Sequence, residues 1–361
     1  MQIKIYKNDT FNAEYHKKSA IEGRKNMTFM RNLAEGCMPF LYFLESIRNP
    51  FFDWFFALIT HLGEETFFLV IAILFFWCIN KREGYFILIT GLVGTVVNQL
   101  AKLFFRIPRP WVLDPEFDII ESARAEATGY SFPSGHTQNI AGTYGAIAAY
   151  NPKRWKTALC TTVIVLVAFS RMYLGVHTPL DVLTSLAVAL ALVLLLRTLF
   201  ATEERFNKAM PWVVVGSVVL SLCFLAYVLA VSGDSTLDSH NYQSGLKNAC
   251  TLLGCTAGLV LVHFIDSRFI KFETNARWYA QIIKLVGGLI GVLAIKAGLS
   301  APLTALFGNE FVARSVRYFL IVAFAGAVWP LTFKWFSGLK IEFMERFTAW
   351  FTDSLKKLKT K

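Results

Sequence analysis

Three segments of this chain carry polar residues that helix ends in an apolar sequence do not need. They are Lys102-LFFRIP-Arg109-Pro110, Pro133-Ser134-Gly135-His136 and Ser170-Arg171-MYLGV-His177-TPL-Asp181. Together they hold the residue types that phosphoryl transfer requires: cationic donors for the phosphate oxygens, a nucleophile, and a proton for the leaving oxygen. Arg109 and Arg171 can grip phosphate oxygens bidentately, and Lys102 adds a point charge. Ser134 and the Gly135 amide stand where a helix opens, so unpaired backbone N–H groups and the helix dipole favour an anion there. Gly135 also lets backbone come close to a phosphate. Thr178 and Pro179 read as N-cap and first helical position, which puts Asp181 within one turn of His177. The carboxylate can take the proton of one imidazole nitrogen and leave the other as nucleophile. His136 then suits the general acid.

The elements that position these residues follow from composition. The chain has 361 residues, 55% of them hydrophobic and 17% charged, with 33 Phe and a mean hydropathy of +0.47. That balance points to an all-α, polytopic membrane helical bundle. Spans of about 20 apolar residues are read at 85–105, 157–175, 178–199, 211–231, 245–265, 281–299 and 313–333. Residues 135–150 are short and semi-polar, as suits a helix enclosed by others. Residues 51–80 are read as one long span bent at Gly63-Glu64-Glu65, with an interfacial helix over 37–49 that keeps Glu45 and Arg48 on its wet side. The total is about nine transmembrane helices, alternatively ten if 37–62 cross separately.

Because spans alternate direction, the three polar segments emerge on one face. Lys81 and Arg82, Lys153 to Lys156, Arg197 to Lys208, Arg268 to Arg277 and the tail lysines Lys356, Lys357, Lys359 and Lys361 lie on the other, which the positive-inside rule makes cytoplasmic. Arg314 and Arg317 run against that distribution. The loop over 111–130, with Asp114, Glu116, Asp118, Glu121 and Glu126 against Arg124, is read as extracytoplasmic and solvated, not as a metal site. The expected location is an inner (plasma) membrane. The net charge of +11 sits in short clusters beside apolar runs, so membrane lipids and not nucleic acid are the expected partners.

Domains are expected as a polar N-terminus and interfacial helix (1–50), a catalytic transmembrane core (51–200), a C-terminal transmembrane extension (201–338) and a basic cytoplasmic tail helix (339–361). Residues 1–33 hold no apolar signal segment, and Met27 is a candidate alternative start. The six cysteines read as small buried hydrophobes. Arg106 reads as a snorkelling anchor, Trp111 as an interface residue, and His61 and His263 as satisfied core histidines. Asn98 and Gln99 are expected to hydrogen-bond between helices.

The ordered pattern KxxxxxxRP, PSGH and SRxxxxxHxxxD resembles the type 2 phosphatidic acid phosphatase superfamily across residues 51–200. The resemblance implies metal-independent hydrolysis without a cofactor. His177 would form a phosphohistidine, Asp181 orient it and His136 protonate the leaving group, with Lys102, Arg109, Ser134, Gly135 and Arg171 on the phosphate. It also implies sensitivity to vanadate. The substrate expected is a lipid phosphate or other amphiphilic phosphate, of phosphatidic acid or prenyl diphosphate type. A core followed by further spans also looks like glucose-6-phosphatases, which keeps a sugar phosphate open. A lipid phosphotransferase, or a transporter or scaffold with a vestigial site, are further alternatives. Soluble vanadium haloperoxidases share such a site, but this chain is too hydrophobic for that class.

Overall fold

In a computed structural model the described residues are 28–350, apart from 126, 235, 236, 347 and 349. The expectations for the first 26 residues, Met27, Glu126 and the lysines of 351–361 lie outside them. Among the described residues the chain is helical, with no strand. The main helices are α1 (Met38–Ser46), α2 (Pro50–Thr60), α3 (Glu65–Leu74), α4 (Lys81–Phe105), α5 (Gly135–Tyr150), α6 (Arg154–Tyr173), α7 (Pro179–Leu199), α8 (Glu203–Ala230), α9 (Ser239–Ile265), α10 (Trp278–Gly298), α11 (Ser300–Phe307), α12 (Glu310–Ala323) and α13 (Phe333–Gly338).

Seven helical stretches among the described residues are long and apolar enough to cross a membrane, and the pair Pro50–Gly63 and Glu65–Ile79, bent by 52°, makes an eighth. The bend falls at the Gly63-Glu64 break read from the sequence. The remaining expected span, α5, has only 16 residues, about 24 Å of helix. Its polar side chains Thr137, Gln138, Asn139 and Thr143 are buried, so it is an enclosed helix, as its composition suggested.

Two compact units are interleaved along the chain. The first holds 1–68, 89–198 and 222–249, and therefore every candidate site residue. Residues 222–249 come from within the expected C-terminal extension. In this unit α2 opens on Asn49, whose Oδ1 accepts from Phe52 N at 3.1 Å, with Pro50 at the first helical position. Phe56 packs with Tyr173, Leu174 and Val176. α1 buries Met38, Leu41 and Leu44 against Phe117. Arg48 does not face water as expected: its Nε donates to Tyr173 O at 3.1 Å and its Nη1 to Asp118 O at 2.7 Å. A guanidinium with several fixed donors suits free loop carbonyls better than the open interface does.

The second unit holds 69–88, 199–221 and 250–361. Its helices approach closely at small residues, the usual device where lipid supplies no hydrophobic drive. A Cβ on Gly254 would stand 2.2 Å from Ser315 O, and one on Gly258 2.8 Å from Val322 Cβ, so α9 meets α12 almost backbone to backbone. Lys81 Nζ pairs with Asp266 Oδ2 at 2.9 Å. His263 is half-buried and meets Tyr85 edge-on at 6.3 Å. Of the cysteines, Cys160 and Cys250 are buried, but Cys223 is exposed on its helix.

Candidate active site

The site stands on the N-terminal ends of α5 and α7 and the C-terminal ends of α4 and α6. At the start of α7, Thr178 and Asp181 cap each other: Thr178 N donates to Asp181 Oδ2 at 2.8 Å and Asp181 N to Thr178 Oγ1 at 3.4 Å. This reciprocal pair is a capping box with Asp in the third position. It locks the carboxylate one turn from His177, whose Nδ1 lies 3.2 Å from the same Oδ2. On the far side of the ring, Arg109 Nη1 lies 2.9 Å from His177 Nε2. A guanidinium only donates, so Nε2 accepts and the imidazole proton sits on Nδ1, toward Asp181. The lone pair of Nε2 therefore points at a cation.

Arg109 is held by loop carbonyls: its Nε donates to Gly129 O at 3.1 Å, Nη1 to Val176 O at 2.9 Å and Nη2 to Thr128 O at 2.8 Å. Lys102 Nζ donates to Tyr130 O at 2.6 Å. Arg171 is fully buried and donates through Nη1 to Thr60 Oγ1. Burial holds the His177 imidazole well below the ordinary range, and the charges of Arg109, Lys102, Arg171 and His136 push it the same way. All of these groups thus act on one imidazole.

Ser134 caps α5. Its Oγ accepts from Thr137 N at 3.4 Å and from Thr137 Oγ1 at 3.0 Å, which leaves its own hydroxyl proton for an anion. A Cβ on Gly135 would meet nothing closer than Asn98 Oδ1 at 3.9 Å, so the backbone here is open to a small ligand. His136, next in the helix, packs its Cβ 3.1 Å from where a Cβ of Gly63 would stand. The bend between α2 and α3 thus lies against the expected general acid. All eight expected site residues fall in the first unit: Arg109 caps the short helix Pro110–Leu113, and the other seven lie at or beside the ends of these four helices.

The structure adds residues to this set. Ser131 Oγ donates to Asp181 Oδ2 at 2.6 Å with both residues fully buried. Ser185 Oγ donates to both Ser134 O and Asp181 O at 2.9 Å, tying α7 to the start of α5. A serine three residues ahead of Ser134, or one turn past an aspartate, carries no signal in a single sequence. Asn98 departs from expectation. Its buried amide has no protein partner among the described residues, and its Oδ1 stands 3.9 Å from where a Cβ of Gly135 would be. Gln99 does bridge helices, its Oε1 accepting from Asn248 Nδ2 at 3.0 Å.

Two other expectations, for Arg106 and His61, are corrected. Arg106 is no snorkelling anchor, since its Nη1 pairs with Asp234 Oδ2 at 2.6 Å. That carboxylate lies far along the sequence and is brought in by the loop before α9. His61 is exposed and pairs with Glu64, outside any core. Trp111 is half-buried, its ring centroid 5.9 Å from the Arg109 guanidinium and 5.2 Å from that of Arg124. Asp114 accepts from Tyr42 Oη at 2.8 Å.

Residues 82–205 match the PAP2 superfamily, and residues 249–341 match the transmembrane extension of PAP2 superfamily phosphatases. A probable sphingosine-1-phosphate phosphatase of Dictyostelium discoideum is 29% identical over 179 residues, 46% of this chain and 43% of that protein. Phosphatidylglycerophosphatase B of Bacillus subtilis is 28% identical over 178 residues, 45% of this chain and 82% of that protein. Undecaprenyl-diphosphatase BcrC, also of Bacillus subtilis, is 36% identical over 112 residues, 31% of this chain and 54% of that protein. The chain spans about half the length of the sphingosine-1-phosphate phosphatases it matches. No solved structure matches it. With both segments matched, an all-helical membrane architecture and the three polar motifs gathered around one imidazole, this chain is an integral membrane protein of the PAP2 superfamily.

Proposed function

We propose that this protein hydrolyses a phosphate monoester or pyrophosphate of a membrane lipid, without a metal, through a phosphohistidine. The observation that carries the reading is the His177 tautomer: Nδ1–H toward Asp181 and the Nε2 lone pair turned to the Arg109 guanidinium. A phosphate held by Lys102, Arg109, Arg171, Ser134 and the Gly135 amide presents phosphorus to Nε2. The N–P bond forms as the bond from phosphorus to the leaving oxygen breaks, and His136 gives that oxygen a proton. Neutral His136 then takes a proton from water, whose oxygen attacks phosphorus, and the N–P bond breaks to release phosphate and His177. Asp181 stabilises the positive charge that the ring carries while phosphorylated.

Lipid is the favoured leaving group because the site sits at helix ends in a chain of apolar spans, and because the relatives named above are lipid phosphatases. On this reading residues 51–200 carry the chemistry, 201–338 form an added membrane segment, and 339–361 form a cytoplasmic tail. The active face is extracytoplasmic, since the loop lysines and arginines gather at the opposite helix ends.

The test is phosphate release in detergent from phosphatidic acid, a sphingoid-base phosphate, a prenyl diphosphate and glucose 6-phosphate, with His177→Ala as control. Release from the lipids, lost in His177→Ala and retained in excess EDTA, is expected. Release from the sugar phosphate alone overturns the lipid assignment. Full activity of His177→Ala overturns the mechanism, and a complete Mg-reversible loss in EDTA overturns the metal-free reading.

A further inference from the structure

The turn that delivers His177 is gripped from outside by a residue that the chemistry above does not use. α6 ends at Tyr173, and a helix end leaves carbonyl oxygens without partners in the helix. The N–H groups of the turn are satisfied locally. Leu174 N donates to Ser170 O at 2.9 Å, Gly175 N to Met172 O at 3.0 Å, and Val176 N and His177 N both to Arg171 O at 3.2 Å. Three carbonyls are taken by distant groups instead. Tyr173 O accepts from Arg48 Nε at 3.1 Å, Leu174 O from Ile120 N at 3.1 Å and Val176 O from Arg109 Nη1 at 2.9 Å. That last nitrogen is the one that meets His177 Nε2 at 2.9 Å.

Arg48 sits in the corner between α1 and α2, and this corner holds Tyr173 at both ends. Besides the carbonyl contact, Tyr173 Oη donates to Asp53 Oδ1 at 2.8 Å and accepts from Asn49 N at 3.3 Å. Arg48 Nη1 reaches on to Asp118 O at 2.7 Å, two residues before the Ile120 amide that holds Leu174 O. One guanidinium thus ties the end of α6 to the loop that braces the same turn. Gly175 has φ +79°, which glycine adopts without steric cost. A Cβ there would stand 2.8 Å from Arg48 Nη2, so the guanidinium lies against the turn itself. Both hydrogen bonds of Arg48 go to backbone carbonyls. A planar fork can serve two fixed acceptors at once, and a lysine ammonium cannot copy that geometry.

We infer that Arg48 is a positioning residue for the nucleophile: it fixes the Tyr173–Val176 turn, and through that turn keeps His177 Nε2 in register with Arg109. The inference rests on the proposed phosphohistidine mechanism and adds to it a residue from outside the matched segment 82–205. The contacts form one unbroken path. Arg48 holds Tyr173 O, the turn carries Val176 O and His177, and Arg109 Nη1 touches both of these. Arg109 also keeps Gly129 O and Thr128 O whatever the turn does. A slack turn therefore moves the imidazole more than it moves the guanidinium that grips phosphate. Misalignment of an attacking atom is felt in the transition state, so the effect belongs in kcat and not in KM.

The experiment measures kcat and KM in detergent for phosphatidic acid and a sphingoid-base phosphate, with thermal unfolding followed on the same preparations. Arg48→Met keeps the stem and removes the donors. Its kcat should fall on the order of tenfold, a modest loss for a displaced reacting group because Ile120 N and Arg171 O still brace the turn, with KM within about threefold. Arg48→Lys, which keeps the charge and can reach one carbonyl, should recover part of that loss. Tyr42→Phe is the control: it removes the 2.8 Å bond from α1 to Asp114 and leaves the turn alone, so kcat should stay at the wild-type value. A wild-type kcat in Arg48→Met, a loss carried by KM alone, or an equal fall of kcat in Tyr42→Phe overturns the positioning role. If Arg48→Met does not fold, Arg48→Lys decides: a lower kcat at unchanged KM supports the role, and a wild-type kcat overturns it. Full activity of His177→Ala overturns the phosphohistidine reading instead, so the two failures are told apart.

Discussion

Ser131→Ala tests whether the Asp181 carboxylate is a tuned part of the site or a helix cap that happens to touch it. Asp181 Oδ2 receives Ser131 Oγ at 2.6 Å, Thr178 N at 2.8 Å and His177 Nδ1 at 3.2 Å, while Oδ1 has no protein partner among the described residues. Ser131 and Asp181 are fully buried, so water does not readily replace the hydroxyl. A hydrogen bond to a charged group contributes about 1.5–3 kcal/mol. Thr178 N and His177 remain to hold the carboxylate, so the lower end applies. Since about 1.36 kcal/mol is tenfold, kcat should fall about tenfold, with KM for the phosphate ester nearly unchanged. The decisive readout is a double-mutant cycle with Asp181→Asn. If Ser131 acts through the charge of Asp181, Ser131→Ala added to the Asp181→Asn variant costs less than about threefold. Purified variants are assayed on one lipid phosphate in detergent, with thermal unfolding followed in parallel. A wild-type kcat in Ser131→Ala, or the same tenfold loss on both backgrounds, refutes the reasoning.

Because burial and surrounding cations hold His177 well below the ordinary imidazole range, the unfolded chain takes up a proton near pH 6.5 where the native chain does not. The unfolded state then binds more protons, so stability falls as pH drops below about 6.5. His177→Ala should flatten that part of the thermal-unfolding profile, and an unchanged slope counts against it. Asn98→Leu replaces an amide without a protein partner by an apolar group of similar size, and unfolding temperature should hold or rise. A drop of several degrees would mean the amide bonds structurally. Gly254→Leu puts side-chain atoms where Ser315 O stands 2.2 Å from a Cβ, so α9 and α12 must part. Expression of folded protein should collapse, and normal yield with normal stability counts against that packing. Orthophosphate near 100 times its dissociation constant should stabilise the wild type by about 2.7 kcal/mol, and Arg171→Ala by far less.

The candidate site was legible because its residues cannot be confused with membrane structure. A Lys, two Arg, two His and an Asp at span ends are costly unless used, and alternating spans bring them to one face. Helix-start signals placed Thr178, Pro179 and Ser134 correctly, because caps are local. What was not legible is long-range. Arg106 looks like any membrane-end arginine until the loop before α9 delivers Asp234 to it. Arg48 looks interfacial until Asp118 O and Tyr173 O are folded against it. Ser131 becomes special only through a carboxylate fifty residues away. His61 went the other way: an intramembrane reading assumed burial, and the bend at Gly63 turned the ring outward to Glu64.

On the proposed reading, the charge inventory explains why a phosphate dianion is the group such a site would select. Lys102, Arg109 and Arg171 bring three positive charges and Asp181 one negative, a sum of +2 with His177 neutral, to which His136 adds one more while it holds the proton it gives the leaving oxygen. Carbonyls of residues 128–130 and 176 solvate the cluster, but dipoles cannot cancel net charge. Burying uncompensated charge is expensive, and a monoester dianion cancels two of those charges. A diester monoanion would cancel only one, so on that reading the same cluster discriminates against phospholipids of the surrounding bilayer. Those lipids outnumber any substrate and share its chains, so selection on chain structure alone could not keep the site clear of them. On the proposed reading, then, the excess of cations over carboxylates does two things. It holds the transferring group in line with Nε2, and it keeps the site from filling with the membrane it sits in.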